Sequence, residues 1–277
     1  MNWITVRRGA SPLIVSLPHT GTTIPKEYQD DLVSIWLARK DADWWIDRLY
    51  DFAASLNATI IHTSISRTVI DVNRDPSGVS LYPGQATTEL CPTTTFDGEP
   101  LYKEKGPDET GIAERRRQYF TPYHDALTGE IARLRAIHDH VVLYDCHSIR
   151  SVIPRLFEGT LPDMNIGTNS GQSCDPQLTE TIAELASASS FSHVVNGRFK
   201  GGWITRHYGR PGEGVHAVQM ELACRSYMRE PMGPLEENDW PAPYEAAFAE
   251  PMRNLLLRIL RACVQFAEAR NKVKVSS

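Results

Sequence analysis

Val141-Val142-Leu143-Tyr144-Asp145-Cys146-His147 is the stretch on which the reading of this chain turns. Four apolar residues run without alternation, so both faces of the strand they form need cover, as in a central parallel strand. An acid and a histidine then break the run. In open α/β sheets, binding sites form just beyond the carboxyl ends of strands, which is where His147 falls. Leu13-Ile14-Val15-Ser16-Leu17 repeats the pattern: a short buried strand stops at Pro18, and His19 follows at once.

Outward from these two stretches, strand and helix patterns alternate, which makes the fold class α/β. Ile46, Leu49, Tyr50, Ala53 and Leu56 recur at helical spacing and predict a helix from Asp43 to Asn57. Thr59–His62 and Thr68–Val72 read as strands, and Val215–Leu222 as another. Helical patterns cover about 112–137, with Pro122 marking a kink or a break. Further helices are expected over Pro176–Ser187 and from Tyr244 to about Ala269. Residues 76–110 and 151–175 read as irregular, and loops of the first length are usually functional or disordered. No repeat, low-complexity tract or composition break marks a linker, so a single domain over 1–277 is expected.

The 277 residues are 41% hydrophobic and 23% charged, ordinary globular usage that excludes collagen-like repeats and a disordered chain. A formal net charge of −5 gives no electrostatic reason to expect nucleic acid or an anionic membrane as partner. Apolar runs fall far short of the roughly 20 residues a membrane span needs. The N-terminus shows no signal-peptide pattern. Five widely spaced cysteines with no CxxC pair point to reduced thiols and a cytoplasmic location. A local basic pocket for a small acidic molecule remains compatible with this balance.

HExxH, HxxE, GxSxG and P-loop patterns are absent. What remains is positional. His19 and His147, each at a strand's carboxyl end, form a candidate pair of metal ligands. An acid such as Asp41, Asp43 or Asp145 could complete a three-ligand site with a position left for water. The competing reading is that each histidine merely bonds a backbone carbonyl. His138-Asp139-His140 offers another histidine pair, but seven residues of strand put His140 about 23 Å from His147. That segment reads as a solvated turn. Glu221 is a carboxylate near the end of an apolar strand, costly there unless paired or functional. In a metallohydrolase it would be the general base; otherwise it is an ion-pair partner of some arginine. Arg67 and Arg74 flank Thr68–Val72, and Asn73-Arg74 sits at that segment's end. A guanidinium suits a carboxylate or a developing oxyanion, although surface ion pairs are the commoner use. Asn196-Gly197-Arg198-Phe199-Lys200-Gly201-Gly202-Trp203 and Ile204-Thr205-Arg206-His207-Tyr208-Gly209 add cationic groups in glycine-rich segments.

An ordered set of short motifs resembles the N-formylglutamate amidohydrolase (N-formylglutamate deformylase) family. It comprises Leu17-Pro18-His19-Thr20-Gly21 with Ile24-Pro25, Asp43-Trp44 with Asp47-Arg48-Leu49-Tyr50, Ser66 to Arg74, and Ser80-Leu81-Tyr82-Pro83-Gly84-Gln85. Leu143 to Ser151, Pro154-Arg155-Leu156-Phe157, Leu161 to Thr168, Asn196 to His207 and Ala217 to Leu222 continue it, so that it covers roughly residues 12 to 230. The resemblance implies a zinc-dependent hydrolase of histidine degradation that cleaves N-formyl-L-glutamate to L-glutamate and formate. It also implies one three-layer α/β/α domain around a mixed sheet, zinc-carboxypeptidase-like (phosphorylase/hydrolase-like). Distant zinc carboxypeptidases and deacylases bind metal through a first His, a nearby Glu and a later His. His19 and His147 match the histidines, but position 22 is Thr, so Asp43 is taken as the second ligand, ahead of Asp41 and Asp145. By the same resemblance Asn73 and Arg74 bind the substrate carboxylate, with Arg150 and Arg206 as further candidates. Arg67 faces the oxyanion, and Glu221 is the catalytic acid/base. Trp45 stands where close family members are expected to carry His.

Three function classes follow: the deformylase, a related zinc N-acyl-amino-acid amidohydrolase of other specificity, and a non-enzymatic binder of acidic metabolites.

Overall fold

The computed structural model describes residues 3–272. Strands β1 (Ile4–Arg7), β2 (Leu13–Leu17), β3 (Thr59–Thr63), β4 (Val141–Ile149), β5 (Met164–Gly167), β6 (His193–Val195) and β7 (Val215–Ala223) form one sheet. Its order is β1-β3-β2-β4-β7-β5-β6. The centre is parallel, because β3, β2, β4 and β7 run the same way, while β1 pairs antiparallel with β3, and β5, parallel to β6, pairs antiparallel with β7. The sheet is therefore mixed.

Around it lie α1 (Lys26–Gln29), α2 (Ile46–Leu49), α3 (Glu109–Arg115), α4 (Thr121–Arg135), α5 (Pro176–Ser187), α6 (Trp203–Tyr208) and α7 (Ala246–Lys272). Every residue of β4 is buried, and alternate side chains serve two separate cores. Val142, Tyr144 and Cys146 join Val15, Val218 and Met220 beneath α2, α5 and α7. Val141 and Leu143 join Ile14 and Ala217 beneath Tyr123 and Leu127 of α4 and Ile204 and Tyr208 of α6. Helices thus cover both faces. In α7 the apolar face runs through Met252, Leu256, Ile259, Cys263 and Ala267 at helical spacing. Among the described residues no helix is long and apolar enough to cross a membrane.

β2 and α5 occupy the segments their patterns predict. Asp175 caps α5 by accepting from Gln177 N at 2.9 Å, and Pro176 fills the first turn. The expected break at Pro122 is a π-helical turn, Arg116–Phe120, inside one helical run from Glu109 to Arg135. Pro122 cannot donate to the carbonyl four residues back, and the wider turn carries the chain past it.

Three expectations are corrected. The helix over 43–57 shrinks to α2 followed by a 3₁₀ stretch, Asp51–Leu56. Trp45 sits in the left-handed region at φ 64°, so the chain turns sharply between Asp43 and Ile46. Thr68–Val72 is not a strand. Its backbone folds into turns, with Val69 N bonded to Ser66 O and Arg74 N to Asp71 O, and its apolar residues are buried without a ladder. The irregular reading of 151–175 also missed β5, whose four residues are too few to show a period.

α6 starts where backbone and side chains approach closely. Gly202 N donates to Gln219 Oε1 at 2.7 Å, and Ile204 N donates to Asn73 Oδ1 at 2.8 Å. A Cβ at Gly202 would lie 2.5 Å from the Asn73 amide. That amide is fixed by its other bonds, so Gly202→Ala should overpack the junction and cost about 1–3 kcal/mol. A urea midpoint measured beside the wild type checks this; an unchanged midpoint would mean the junction is soft.

Candidate active site

Strand order decides what the carboxyl ends bring together. The chain leaves β2 for β3 on one side and returns to β4 on the other, so strand order reverses between β2 and β4. Three ladder rows cross this region in register. Ile14, Leu143 and Ala217 are apolar; Ser16, Asp145 and Gln219 follow; His147 and Glu221 come last. On the face toward α4 and α6 the strands thus turn from apolar to polar as they reach their carboxyl ends.

His19 and His147 meet there, with ring centroids 4.8 Å apart. Both Nδ1 atoms face Asp43, whose Oδ2 lies 3.7 Å from His19 and 3.0 Å from His147. Among the described residues, His19, Asp43 and His147 form a group whose ligand atoms lie within 4.8 Å of one another, all buried. The other nitrogen of each ring is held from behind. His19 Nε2 is 2.6 Å from Asp71 Oδ1, and His147 Nε2 is 2.8 Å from Asp145 Oδ2. If each Nε2 carries the proton, each Nδ1 presents a lone pair, the arrangement that metal-binding histidines adopt.

The donor set fits a cation on two further counts. His19 Nδ1 and Asp43 Oδ1 are buried without a hydrogen-bond partner, a cost that a ligand between them would remove. Four carboxylates (Asp43, Asp71, Asp145 and Glu221) also face two guanidinium groups, Arg67 and Arg74. The acids outnumber the guanidinium groups.

The remaining candidates divide by position. Asp145 orients His147 and also accepts from Ser16 Oγ at 2.8 Å and Asn73 Nδ2 at 3.1 Å. Asp41 accepts from Phe96 N at 2.6 Å and faces Arg150, away from the histidine pair. Arg67 lines the cleft, donates to Asp71 Oδ2 at 2.7 Å and packs over Phe96. Arg74 also lines it, held by Thr88. Asn73 reaches the cleft, yet its amide is engaged, Nδ2 donating to Asp145 and Oδ1 accepting from Ile204 N of α6. Arg150 and Arg206 do not line the cleft. Arg150 pairs with Asp97 at 2.8 Å, and Arg206 donates to the Gly201 and Leu81 carbonyls. Trp45 points into the core and donates to Ala242 O. His138–His140 lies at the amino end of β4, where His140 Nδ1 sits 3.0 Å from His216 Nε2; it is a half-buried contact rather than the solvated turn expected.

Glu221 lines the cleft beside His147. Among the described residues no Lys or Arg lies within ion-pair distance of it; Gln219 Nε2 donates to its Oε2 at 3.0 Å. Burial pushes its carboxyl up to about 7, with the neighbouring Asp43 and Asp145 charges adding to the rise and His147 and Arg67 opposing it. Burial also disfavours charge on both imidazoles. It prevails at His19, helped by Arg67, and the pKa falls; at His147 the Asp145 and Asp43 carboxylates outweigh it and the pKa rises well above the ordinary value.

Asp71, Gln219 and Arg198 are site residues the sequence reading did not single out. An acid inside Val69-Ile70-Asp71-Val72 signals a buried, partnered carboxylate, and Gln219 shares the Glu221 face by simple alternation.

The N-formylglutamate amidohydrolase family profile matches residues 11–228. A Pseudomonas aeruginosa protein named N-formylglutamate deformylase is 44% identical over 272 residues, spanning 96% of this chain and 98% of the relative. A Pseudomonas putida protein of the same name is 44% identical over 270 residues, spanning 96% and 97%. The crystal structure of an N-formylglutamate amidohydrolase from Ralstonia eutropha JMP134 superposes with a TM-score of 0.76 at 24% identity, covering 97% and 99% of the two chains. A gene product from Agrobacterium tumefaciens does so at 0.69 and 20%, covering 95% and 96%. These two structures speak for the fold, and the profile and the Pseudomonas proteins for descent: the chain belongs to the N-formylglutamate amidohydrolase family.

Proposed function

We propose that this chain is a zinc-dependent deformylase that hydrolyses N-formyl-L-glutamate to L-glutamate and formate. We place it in the cytoplasm, as a step of histidine degradation carried out by a single domain. The observation that carries the reading is the pair of imidazoles turned toward Asp43 by buried carboxylates behind them. The relatives' shared name gives the substrate.

His19, Asp43 and His147 would hold the zinc, which supplies Lewis acidity: it lowers the pKa of water to about 7 and polarises a carbonyl. Asp71 and Asp145 keep the two rings in the metal-binding tautomer. Glu221 takes the proton of the attacking water and delivers it to the leaving amine nitrogen. Arg67, rigid between Asp71 and Phe96, faces the oxyanion. Arg74 holds the α-carboxylate.

Chelator treatment should abolish formate release, and added zinc should restore it. His19→Ala and His147→Ala should each lose most bound metal, while His140→Ala keeps it. Asp71→Asn and Asp145→Asn should weaken metal binding by roughly 10–100-fold. Full turnover in thoroughly metal-free protein would overturn the metal assignment.

Glu221→Gln keeps size and hydrogen bonding but cannot accept a proton. Its kcat should fall by about 10²–10⁴-fold, with zinc content and thermal midpoint unchanged. A zinc-loaded, stable variant with near-native turnover would remove Glu221 from the mechanism.

A further inference from the structure

The dianionic substrate of the reading above has two carboxylates, and Arg74 accounts for one. Arg150 and Lys40 are neutralised elsewhere, Arg150 by Asp97 and Asp41 and Lys40 by Asp97 and Glu99, and Arg206 lies outside the cleft wall. Arg67 is bound to Asp71 beside the histidines. One cation in the cleft wall has no carboxylate partner among the described residues. Arg198 lies in the loop after β6, and its Nε and Nη2 donate to the carbonyls of Leu156 and Ala86 at 2.9 and 3.0 Å. Its guanidinium is stacked near Tyr82 and Phe199, 5.3 and 5.2 Å from the ring centroids. Carbonyls and rings fix the fork without neutralising it.

We propose that Arg198 is the specificity-determining residue that binds the side-chain carboxylate of the substrate and selects acidic N-formyl amino acids over neutral ones. The assignment rests on the deformylase reading, and connectivity decides between the two arginines. In N-formylglutamate the α-carboxylate is attached to the carbon that bears the reacting nitrogen, while the side-chain carboxylate lies two methylenes further out. Arg74, 3.8 Å from the Asp71 carboxylate that holds His19, is the inner cation. Arg198, contacting none of the histidine or carboxylate groups of the centre, is the outer one. Burial weakens the hold of Arg198 on its proton, with Tyr82 and Glu221 opposing the fall and Arg74 adding to it.

The test compares zinc-loaded wild type, Arg198→Gln and Arg198→Lys on N-formyl-L-glutamate and N-formyl-L-glutamine, which differ in that one carboxylate. Wild type should prefer the acid. Arg198→Gln should lose about 10–100-fold in kcat/KM on N-formyl-L-glutamate, mainly through KM, and at least ten-fold less on N-formyl-L-glutamine, so that the preference collapses. Arg198→Lys, which keeps the charge but not the fork, should fall between. Equal losses on both substrates in either variant, with zinc content and thermal midpoint retained, would overturn the assignment, as would an undiminished preference. If Arg198→Gln does not fold, Arg198→Lys alone decides by the same ratio. Wild type that releases no formate from N-formyl-L-glutamate would end the deformylase reading itself, a result distinct from any outcome with the variants.

Discussion

The Asp145 carboxylate joins more of this structure than any other group of the site. One oxygen receives Ser16 Oγ, itself 3.0 Å from the Tyr123 hydroxyl, and the other receives Asn73 and His147. Through these bonds β2, β4, α4 and the 66–74 loop are tied at one buried point. A fully buried carboxylate is tolerable only when its lone pairs are met by donors, and here every donor comes from a different element. Holding the charge in place therefore also fixes the relative position of the strands and the ring of His147.

Asp71 does the same for the first histidine. It accepts from His19, Arg67 and the backbone of Asn73. Burial works against its charge, yet His19, Arg67 and Arg74 together hold its carboxyl well below the usual range. The two acids differ in company: Asp71 shares cations with the cleft, whereas Asp145 is met by neutral donors and an imidazole. Arginines likewise divide into those that neutralise a buried acid, such as Arg67, and those that brace a loop, such as Arg206 against Leu81 and Gly201. Residue type alone does not separate these uses; the partner does.

This explains what the sequence disclosed. The continuous apolar runs of β2 and β4 announced central parallel strands, and parallel neighbours place their terminal histidines side by side. The alternation in β7 set Glu221 on the face opposite Val218, Met220 and Leu222, and the packing of the sheet makes that face the cleft side. Asp43 followed from family likeness, because a turn residue carries no period to read. The 68–72 segment was misread since its β-branched residues are buried by tertiary contacts, while Ser66 and Asp71 draw the backbone into turns. Arg150 and Arg206 looked equivalent to Arg74 because charge is visible in a sequence and its counterpart across the fold is not.

The pleat of β4 also decides which side chains reach the cleft. Cys146 stands between Asp145 and His147, yet alternation turns its thiol to the opposite core, among Tyr144 and Met220, where burial pushes its pKa well above the ordinary value. Sulfur is thereby kept out of a donor set made of nitrogen and oxygen. Such a set would disfavour soft ions such as monovalent copper, and it leaves no thiolate on the cleft face to be oxidised. One strand thus places two polar side chains on the cleft face and hides the residue between them, so that the chemistry of the donor set follows from backbone geometry.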